Sequence, residues 1–534
     1  MTATKPQCRC GRTMAHILLW AALAWGASAA QAQTPKWAKK TAKALFTLKT
    51  FDKEGALVGS ATGFYVDEQG EALSCYTPFR GAERAVVIDA EGKEKPVAAL
   101  LGASDTYDVA HFQVDTKKSV PLATDTTRVG AQLWLQPYLE QERLQPLTVS
   151  RMERFQDTCQ YLTLEPVPRG EHTGAPLLDA EGRVVALLHP STREGDTQGY
   201  AVSADFGKSL RINGLGINDP AMKATGVKKA LPKAADQALL MLYVAASQMD
   251  SLAYADLVED FVKAFPQEPE GYMARARALI AQKRYDEAEA QLAQAEKAVQ
   301  GRPEEMDYTH QNCQRLRGDI LMRRQEWQQA ADVFLELAKG SGRSAENFLL
   351  AATCFAQMKD TTQHLALLDS AVATFSRPYL REAAPYLLTR AQARVDAGRY
   401  RHAVQDYNDY EQLMARQVND RFHYLRYQAE VEGHLFQQAL SDITRAVELV
   451  PDHSLYLAEK AWLEVRVALF DEAVKTASRC IEVDPQNSDG HLFLGIALCQ
   501  KGKRQEGLSH LRKAGELGNE QAQAMIEQYS APQQ

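Results

Sequence analysis

The chain has 534 residues, 45% of them hydrophobic and 24% charged, with a net charge of −7. That length exceeds what one hydrophobic core organises, so two or more domains are expected. The acidic balance argues against nucleic acid as a partner, because phosphate binding needs clustered positive charge.

In chain order, residues 1–32 read as an export signal. Lys5, Arg9 and Arg12 stand without acids, an apolar run follows from Ile17 to Trp25, and small residues lead to a cleavage point with Ala30 and Ala32 at the small positions. The apolar run is short for a bilayer, so no membrane span is expected after cleavage. Met14 is an alternative start, which would make Cys8 and Cys10 irrelevant. The six later cysteines, Cys75, Cys159, Cys313, Cys354, Cys480 and Cys499, form no C-x-x-C pair. Neither a metal site nor a cofactor is expected from them, and they read as small buried residues, with disulfides open to an exported chain.

Residues 40–213 are a succession of short β-branched or aromatic runs such as "ALFTLKTF", "DVAHFQVD" and "RVVALLH". The turns "DEQG", "DAEG" near Glu91 and "DAEG" near Glu181 place glycine where a hairpin needs positive φ. This pattern predicts an all-β barrel or sandwich. Residues 214–233, rich in Gly, Pro and Lys, read as a linker. From residue 234 to 518 the pattern is helical and repeats: Tyr285 with Ala288, Trp327 with Ala330, Tyr400 with Ala403, Phe436 with Ala439 and Phe470 with Ala473 pair an aromatic with a small residue three positions on. Ala253, Ala366 and Gly507 keep the spacing without the aromatic. Small residues recur twelve positions before most markers, at Ala276, Gly318, Cys354, Ala391, Ala461 and Gly495, and prolines close several units, as at Pro451 and Pro485. Small residues let two antiparallel helices approach and the aromatic fills the gap beside them. About eight helix pairs are predicted, with residues 519–534 as a capping helix and tail.

The second half resembles the tetratricopeptide repeat (TPR), whose period is about 34 residues. The resemblance implies a superhelix that binds protein or peptide on a concave face lined by the first helix of each pair. Projecting the register places Arg277, Asn312, Arg315, Asp319, Arg323, Phe355, Gln392, Tyr424, Gln428, Trp462 and Arg466 on or near that face. Their mixture of arginines and aromatics suits extended peptides or acidic groups.

The first half resembles the trypsin-like domain of the HtrA or Deg heat-shock proteases. The anchors are "GSATGFYVDEQGEALS" (Gly59–Ser74), "DTYDVAHFQVD" (Asp105–Asp115), "EHTGAPLLDAEGRVVALL" (Glu171–Leu188) and "GYAVSADF" (Gly199–Phe206). The expected architecture is therefore multidomain: an all-β trypsin-like double β-barrel followed by an all-α TPR superhelix. With the export signal, the resemblance points to a periplasmic or secreted protein.

That family needs a serine nucleophile, a histidine base and an orienting aspartate. Here the resemblance places Thr77 at the histidine position, Asp108 at the aspartate and Thr173 at the serine. Glu171 stands at the glycine whose N–H helps hold the oxyanion, and Ala175 at the glycine two after the nucleophile. A threonine hydroxyl cannot accept and return a proton near neutral pH, and Pro78 is expected to disturb the local turn. His172 and His111 are candidate substitutes, but strand alternation turns each away from its would-be partner. Cys75 lacks an adjacent base. No catalytic residue is expected; the leading reading is an inactive protease-like domain on a TPR scaffold. The alternative is an active hydrolase using Thr173, and a third reading has the β-domain merely capping the repeats.

Overall fold

The computed structural model describes residues 35–116, 124–138, 144–155, 159–168, 172–189, 198–340, 344–414 and 417–531. The export signal, Cys8, Cys10 and Glu171 lie outside the described residues. The chain divides into two compact units, Met1–Ala278 and Leu279–Gln534.

In the first unit, twelve antiparallel strands close into two barrels. The first contains β1 (Leu45–Phe51), β2 (Leu57–Tyr65), β3 (Glu71–Ser74), β4 (Arg84–Asp89), β5 (Glu94–Ser104) and β6 (Val109–Val114), in the order β1-β2-β3-β6-β5-β4. The second contains β7 (Gln132–Leu135), β8 (Gln145–Phe155), β9 (Cys159–Glu165), β10 (Pro176–Leu178), β11 (Val184–His189) and β12 (Gly199–Ser203), in the order β10-β11-β12-β9-β8-β7. Period-2 alternation sorts the side chains. Ala110, Phe112 and Val114 of β6 join Phe46 and Leu48 in the first barrel's core, while Leu133, Val149, Leu162 and Val185 fill the second. Leu45, Phe64, Leu73, Leu187 and Val202 form a third layer where the barrels meet. The hairpin turns have the expected chemistry: Gly70, Gly92 and Gly182 all take positive φ.

Three short helices, α1 (Ala38–Thr41), α2 (Ala204–Ser209) and α3 (Pro220–Lys223), belong to this unit. The segment expected as a linker is instead a strap bound to the first barrel. Leu100 N–H donates to Lys228 O and Ala230 N–H to Leu100 O, at 2.7 and 2.8 Å, while Gly81 N–H reaches Ala224 O at 2.7 Å. Ile217, Ala221, Met222 and Val227 are buried in the same core as Phe46, Tyr76 and Phe79. Gly, Pro and Lys mark its turns, yet four apolar side chains at irregular spacing pin it down. The same core takes Met241 of α4 (Ala235–Ala245) and Phe261 of α5 (Ser251–Ala264), so barrel, strap and first helices are one packed body.

Helices then continue as α6 (Pro269–Ala281), α7 (Tyr285–Ala298), α8 (Pro303–Arg323), α9 (Trp327–Lys339), α10 (Ala345–Gln357), α11 (Thr361–Val372), α12 (Ala384–Asp396), α13 (Tyr400–Met414), α14 (Asp420–Glu432), α15 (Phe436–Leu449), α16 (Ser454–Arg466), α17 (Phe470–Val483), α18 (Ser488–Gln500), α19 (Arg504–Glu516) and α20 (Ala522–Ser530). The repeated aromatics Tyr285, Trp327, Tyr400, Phe436 and Phe470 each open the second helix of a pair. Their small partners Ala288, Ala330, Ala403, Ala439 and Ala473 are fully buried. A side chain on Gly318 would meet the Phe334 ring at 2.5 Å, which is why that position is glycine. Each pair from α6–α7 to α18–α19 turns through one residue with positive φ, two positions before the second helix: Lys283, Gln325, Lys359, Gly398, His434, Ala468 and Gly502.

Candidate functional site

The positions carried over from the protease resemblance converge between the two barrels. Thr77 opens a one-turn 3-10 helix, Thr77–Phe79, directly after β3. Pro78 does not disturb this turn, contrary to the sequence expectation. It occupies an opening position of the helix, where a missing N–H costs nothing and the fixed φ is already suitable. Asp108, just before β6, is buried and takes φ 47°. Its Oδ1 accepts from the Thr77 backbone N–H at 2.6 Å and from the Thr77 hydroxyl at 2.8 Å. Its backbone carbonyl accepts from Tyr76 N–H at 3.3 Å. The carboxylate thus holds the 3-10 turn as a capping group does. Its other oxygen, Oδ2, is buried without a hydrogen-bond partner among the described residues.

Thr173 and Gly174 reach this place from the second barrel. Thr62 N–H of β2 donates to Thr173 O at 2.9 Å, and Gly174 N–H donates to Leu188 O at 2.8 Å. Gly174 has φ 81°, and a side chain there would meet Thr62 O at 2.3 Å and Ser74 Oγ at 3.2 Å. Ala175 N–H closes the turn onto His172 O at 2.9 Å.

The substitute groups have other commitments. His111 is fully buried, with Nε2 3.1 Å from Glu71 Oε2 and Nδ1 3.2 Å from Leu210 O. Burial, reinforced by the Arg211 charge, pushes its pKa down to about 3, so it is a neutral fixture on the face away from Asp108. Cys75 is fully buried, and burial with the neighbouring Asp108 charge raises its pKa well above that of a free thiol. A thiol held protonated is a poor nucleophile.

The residues projected as a binding face all fall on first helices of pairs. Arg277 is exposed on α6, and Asn312, Arg315, Asp319 and Arg323 lie on α8. Arg315 pairs with Glu346 of α10 at 2.8 Å, and Arg323 with Asp319 in its own helix at 3.1 Å. Phe355 of α10 is half-buried in a core cluster, as is Trp462 of α16. Gln392 of α12 bonds Asp396, Tyr424 of α14 packs on Tyr456 with ring centroids 5.0 Å apart, Gln428 is exposed, and Arg466 lies over the Phe436 ring at 5.3 Å. Several arginines are therefore already paired, and all three aromatics are packing residues.

Sequence reasoning missed a set of buried charges between the helices of a pair. Arg390 of α12 binds Asp406 of α13 with both Nε and Nη2, at 3.1 and 2.6 Å. One repeat on, Arg426 of α14 binds Asp442 of α15 in the same way, at 2.5 and 2.8 Å, and His423 Nδ1 joins Asp442 at 2.8 Å. Burial alone would raise Asp442, but the bonds from Arg426 and His423 outweigh it and hold its pKa below the usual carboxylate value. Arginine sixteen positions before aspartate in two successive repeats was the available signal. Glu430 lies beneath with Oε2 buried and unpartnered among the described residues; burial, then the Asp442 charge, pushes its pKa well up. A pocket of about 740 Å³ opens over the network, lined by Glu411, His423, Arg426, Ser441, Asp442 and Arg445 among others.

Residues 61–187 match the family model of the Trypsin-like peptidase domain, and residues 235–400 that of Iml2/Tetratricopeptide repeat protein 39. The chain carries a trypsin-like peptidase domain followed by a TPR-type region. Among curated proteins it is similar to Small glutamine-rich tetratricopeptide repeat-containing protein 2 of Saccharomyces cerevisiae, 29% identical over 97 residues, or 18% of this chain and 28% of that relative. The match thus spans under a third of the relative's length. Among solved structures, similar chains include an HtrA-type protease, AlgW, with a tripeptide (18% identity, TM-score 0.27, 32% of this chain and 59% of that one). Another is YrrB, a TPR protein with an unusual peptide-binding site (21% identity, TM-score 0.31, 37% of this chain and 98% of that one). Among the described residues of the trypsin-like domain and the TPR-type region, no helix is long and apolar enough to cross a membrane. No group of three or more His, Cys, Asp or Glu there could hold a metal ion.

Proposed function

We propose that this chain is an exported scaffold that binds proteins or peptides in the cell envelope through its TPR-type region, with a trypsin-like domain that no longer hydrolyses them. The observation that carries the reading is the bond from Thr77 to Asp108. Proton transfer from a hydroxyl nucleophile needs a base near neutral pK, and the side chain facing Asp108 is itself a hydroxyl that donates to it. Asp108 then serves the turn, and Thr173 has no imidazole at the position the protease resemblance assigns to the base. The first-helix residues Arg277, Arg315, Arg323 and Gln428 are the exposed groups offered to a partner, which on this reading lies in the concave face of the repeats.

The purified chain tested with an active-site serine probe and with unfolded casein is expected to react with neither. Labelling or cleavage that disappears in Thr173→Ala would overturn the inactive reading and install the hydrolase. Partner binding is tested by pull-down from the native envelope against Arg315→Glu/Arg323→Glu, which is expected to lose partners the unaltered chain retains.

A further inference from the structure

The cavity of about 740 Å³ over the Arg426–Asp442 network is built from three consecutive helices. Its floor is α14, through His423 and Arg426. Its walls are the end of α13, through Glu411, and one face of α15, where Gln437, Ser441, Arg445 and Glu448 recur at helical spacing. Both walls are second helices of their pairs, and none of the residues projected as a first-helix binding face lines the cavity. A space of this volume admits a whole side chain or a small molecule.

The lining is short of hydrogen-bond donors. His423 is buried, and its Nδ1 lies 2.8 Å from Asp442 Oδ1. An ionised carboxylate only accepts, so in the neutral ring Nδ1 carries the hydrogen and Nε2 is a bare lone pair. Nε2 has no partner among the described residues, and it is open to the cavity rather than sealed in the core. Arg426 has little left to offer a ligand: four of its five N–H donors are taken, two by Asp442 and one each by Asn408 and Glu411. Glu411 accepts from Arg426 through Oε2 at 2.7 Å, and its Oε1 has no partner among the described residues. On α15, Glu448 is half exposed and pairs with Arg445 at 2.7 Å. Among the charged lining side chains, the three acids Glu411, Asp442 and Glu448 outnumber the two bases Arg426 and Arg445. An anion entering here meets the His423 lone pair and the free Glu411 oxygen, whereas a cation that donates hydrogen bonds satisfies both.

We propose that this cavity is a binding site for an organic cation with several N–H donors, an alkylammonium or guanidinium group. One N–H is donated to His423 Nε2, and the charge faces the carboxylates of Glu411 and Glu448. A lysine or arginine side chain of a partner and a free polyamine carry this same chemistry. A group without a donor would cover the His423 nitrogen and leave it unpaired, which costs an unmade hydrogen bond, so apolar and carboxylate groups are disfavoured. Arg445 is the built-in competitor, because it holds Glu448 until the ligand arrives.

The test is calorimetric titration of the full chain at pH 8 with N-acetylarginine amide, with spermidine, and with the uncharged control N-acetylglutamine amide. Binding of either cation above the control is expected; arginine amide alone identifies a partner's side chain as the source, and spermidine alone a free polyamine. Glu448→Gln should weaken that binding about threefold, and Arg445→Gln should tighten it by a similar factor. Both side chains are exposed, so neither change threatens the fold. An anion site requires the opposite signs. Diethyl pyrocarbonate locates the site: His423 should be modified at its open nitrogen and protected by saturating cation, while His111, with both nitrogens engaged, stays unmodified. Cation binding no better than the control, affinities unchanged or reversed in the two variants, or a His423 that is unreactive without ligand or unprotected with it would overturn the proposal.

Discussion

Asp108 takes φ 47°, a conformation that costs a residue with a side chain about 1–2 kcal/mol. Its bonds to the Thr77 N–H and hydroxyl hold it there. Asp108→Ala keeps the backbone penalty and loses both bonds, so the trypsin-like domain should lose about 2–3 kcal/mol in urea unfolding. Asp108→Asn tolerates positive φ and still accepts from Thr77, and should lose about 1 kcal/mol. A side chain left over from vanished chemistry would leave both midpoints unchanged. Sequence alone named the three positions, because Asp108 and Thr173 lie inside motif anchors and Thr77 follows three residues after the one that ends at Ser74. The bond joining Thr77 to Asp108 was not, because thirty-one residues separate them and only the packing of β3 against β6 brings them together. Glu430 gives a second measurement at this scale. Its pKa is raised in the folded chain, so its contribution is fully present below the usual value near 4.5 and drains away as pH rises towards the folded pKa. Glu430→Gln should remove that alkaline decline in melting temperature, leaving the variant more stable than the parent at pH 8 and closest to it at pH 4.5.

The helix pairs share one turn design, a positive-φ residue two positions before the second helix. Only Gly398 and Gly502 fill it with glycine; Lys283, Gln325, Lys359, His434 and Ala468 pay the strain of a side chain. Ala468→Gly should therefore raise stability by about 0.5–1 kcal/mol, and Gly398→Ala should lower it by about 1–2 kcal/mol. Thermal unfolding of the two variants in parallel checks both signs. These turns were invisible in the sequence because five residue types occupy the position, whereas the helix starts were plain because an aromatic with a small residue three places on recurs. The small residue is legible for the reason that makes it necessary: at Gly318 and Gly495 a side chain would collide at 2.5 and 2.8 Å with Phe334 and Leu511. Polar bolts across a pair are harder to read. Arg390–Asp406 and Arg426–Asp442 share a sixteen-residue spacing that the sequence shows, but only the fold shows that both pairs are buried between the helices they join.

At the scale of the first unit, the strap changes what a domain boundary means. Composition places a break after Asn213, yet Ile217, Met222 and Val227 are buried with Phe46, Tyr76 and Phe79 of the barrel and with Met241 and Phe261 of α4 and α5. Hydrogen bonds run the same way: the Tyr76 hydroxyl donates to Ala221 O at 2.6 Å, and Thr225 Oγ1 to Ala82 O at 3.1 Å. Full burial of an apolar side chain of this size contributes about 1.5–3 kcal/mol. Exposing five of them costs on the order of 10 kcal/mol, comparable with the whole stability of a domain. A chain shortened to begin at Gly214 should therefore lose exchange protection through α4, α5 and the start of α6, and should self-associate through the uncovered core. The reading in which the β-domain merely caps the repeats requires the opposite, a monodisperse product with those helices protected as in the full chain. The loop bearing Thr77 is held by this strap through Tyr76 and Ala82, so Met222→Ala, a substitution remote from Asp108 in sequence, should also weaken the Thr77–Asp108 turn. Faster amide exchange at Tyr76 and Thr77 in that variant, with β11 and β12 of the second barrel unchanged, is the expected result.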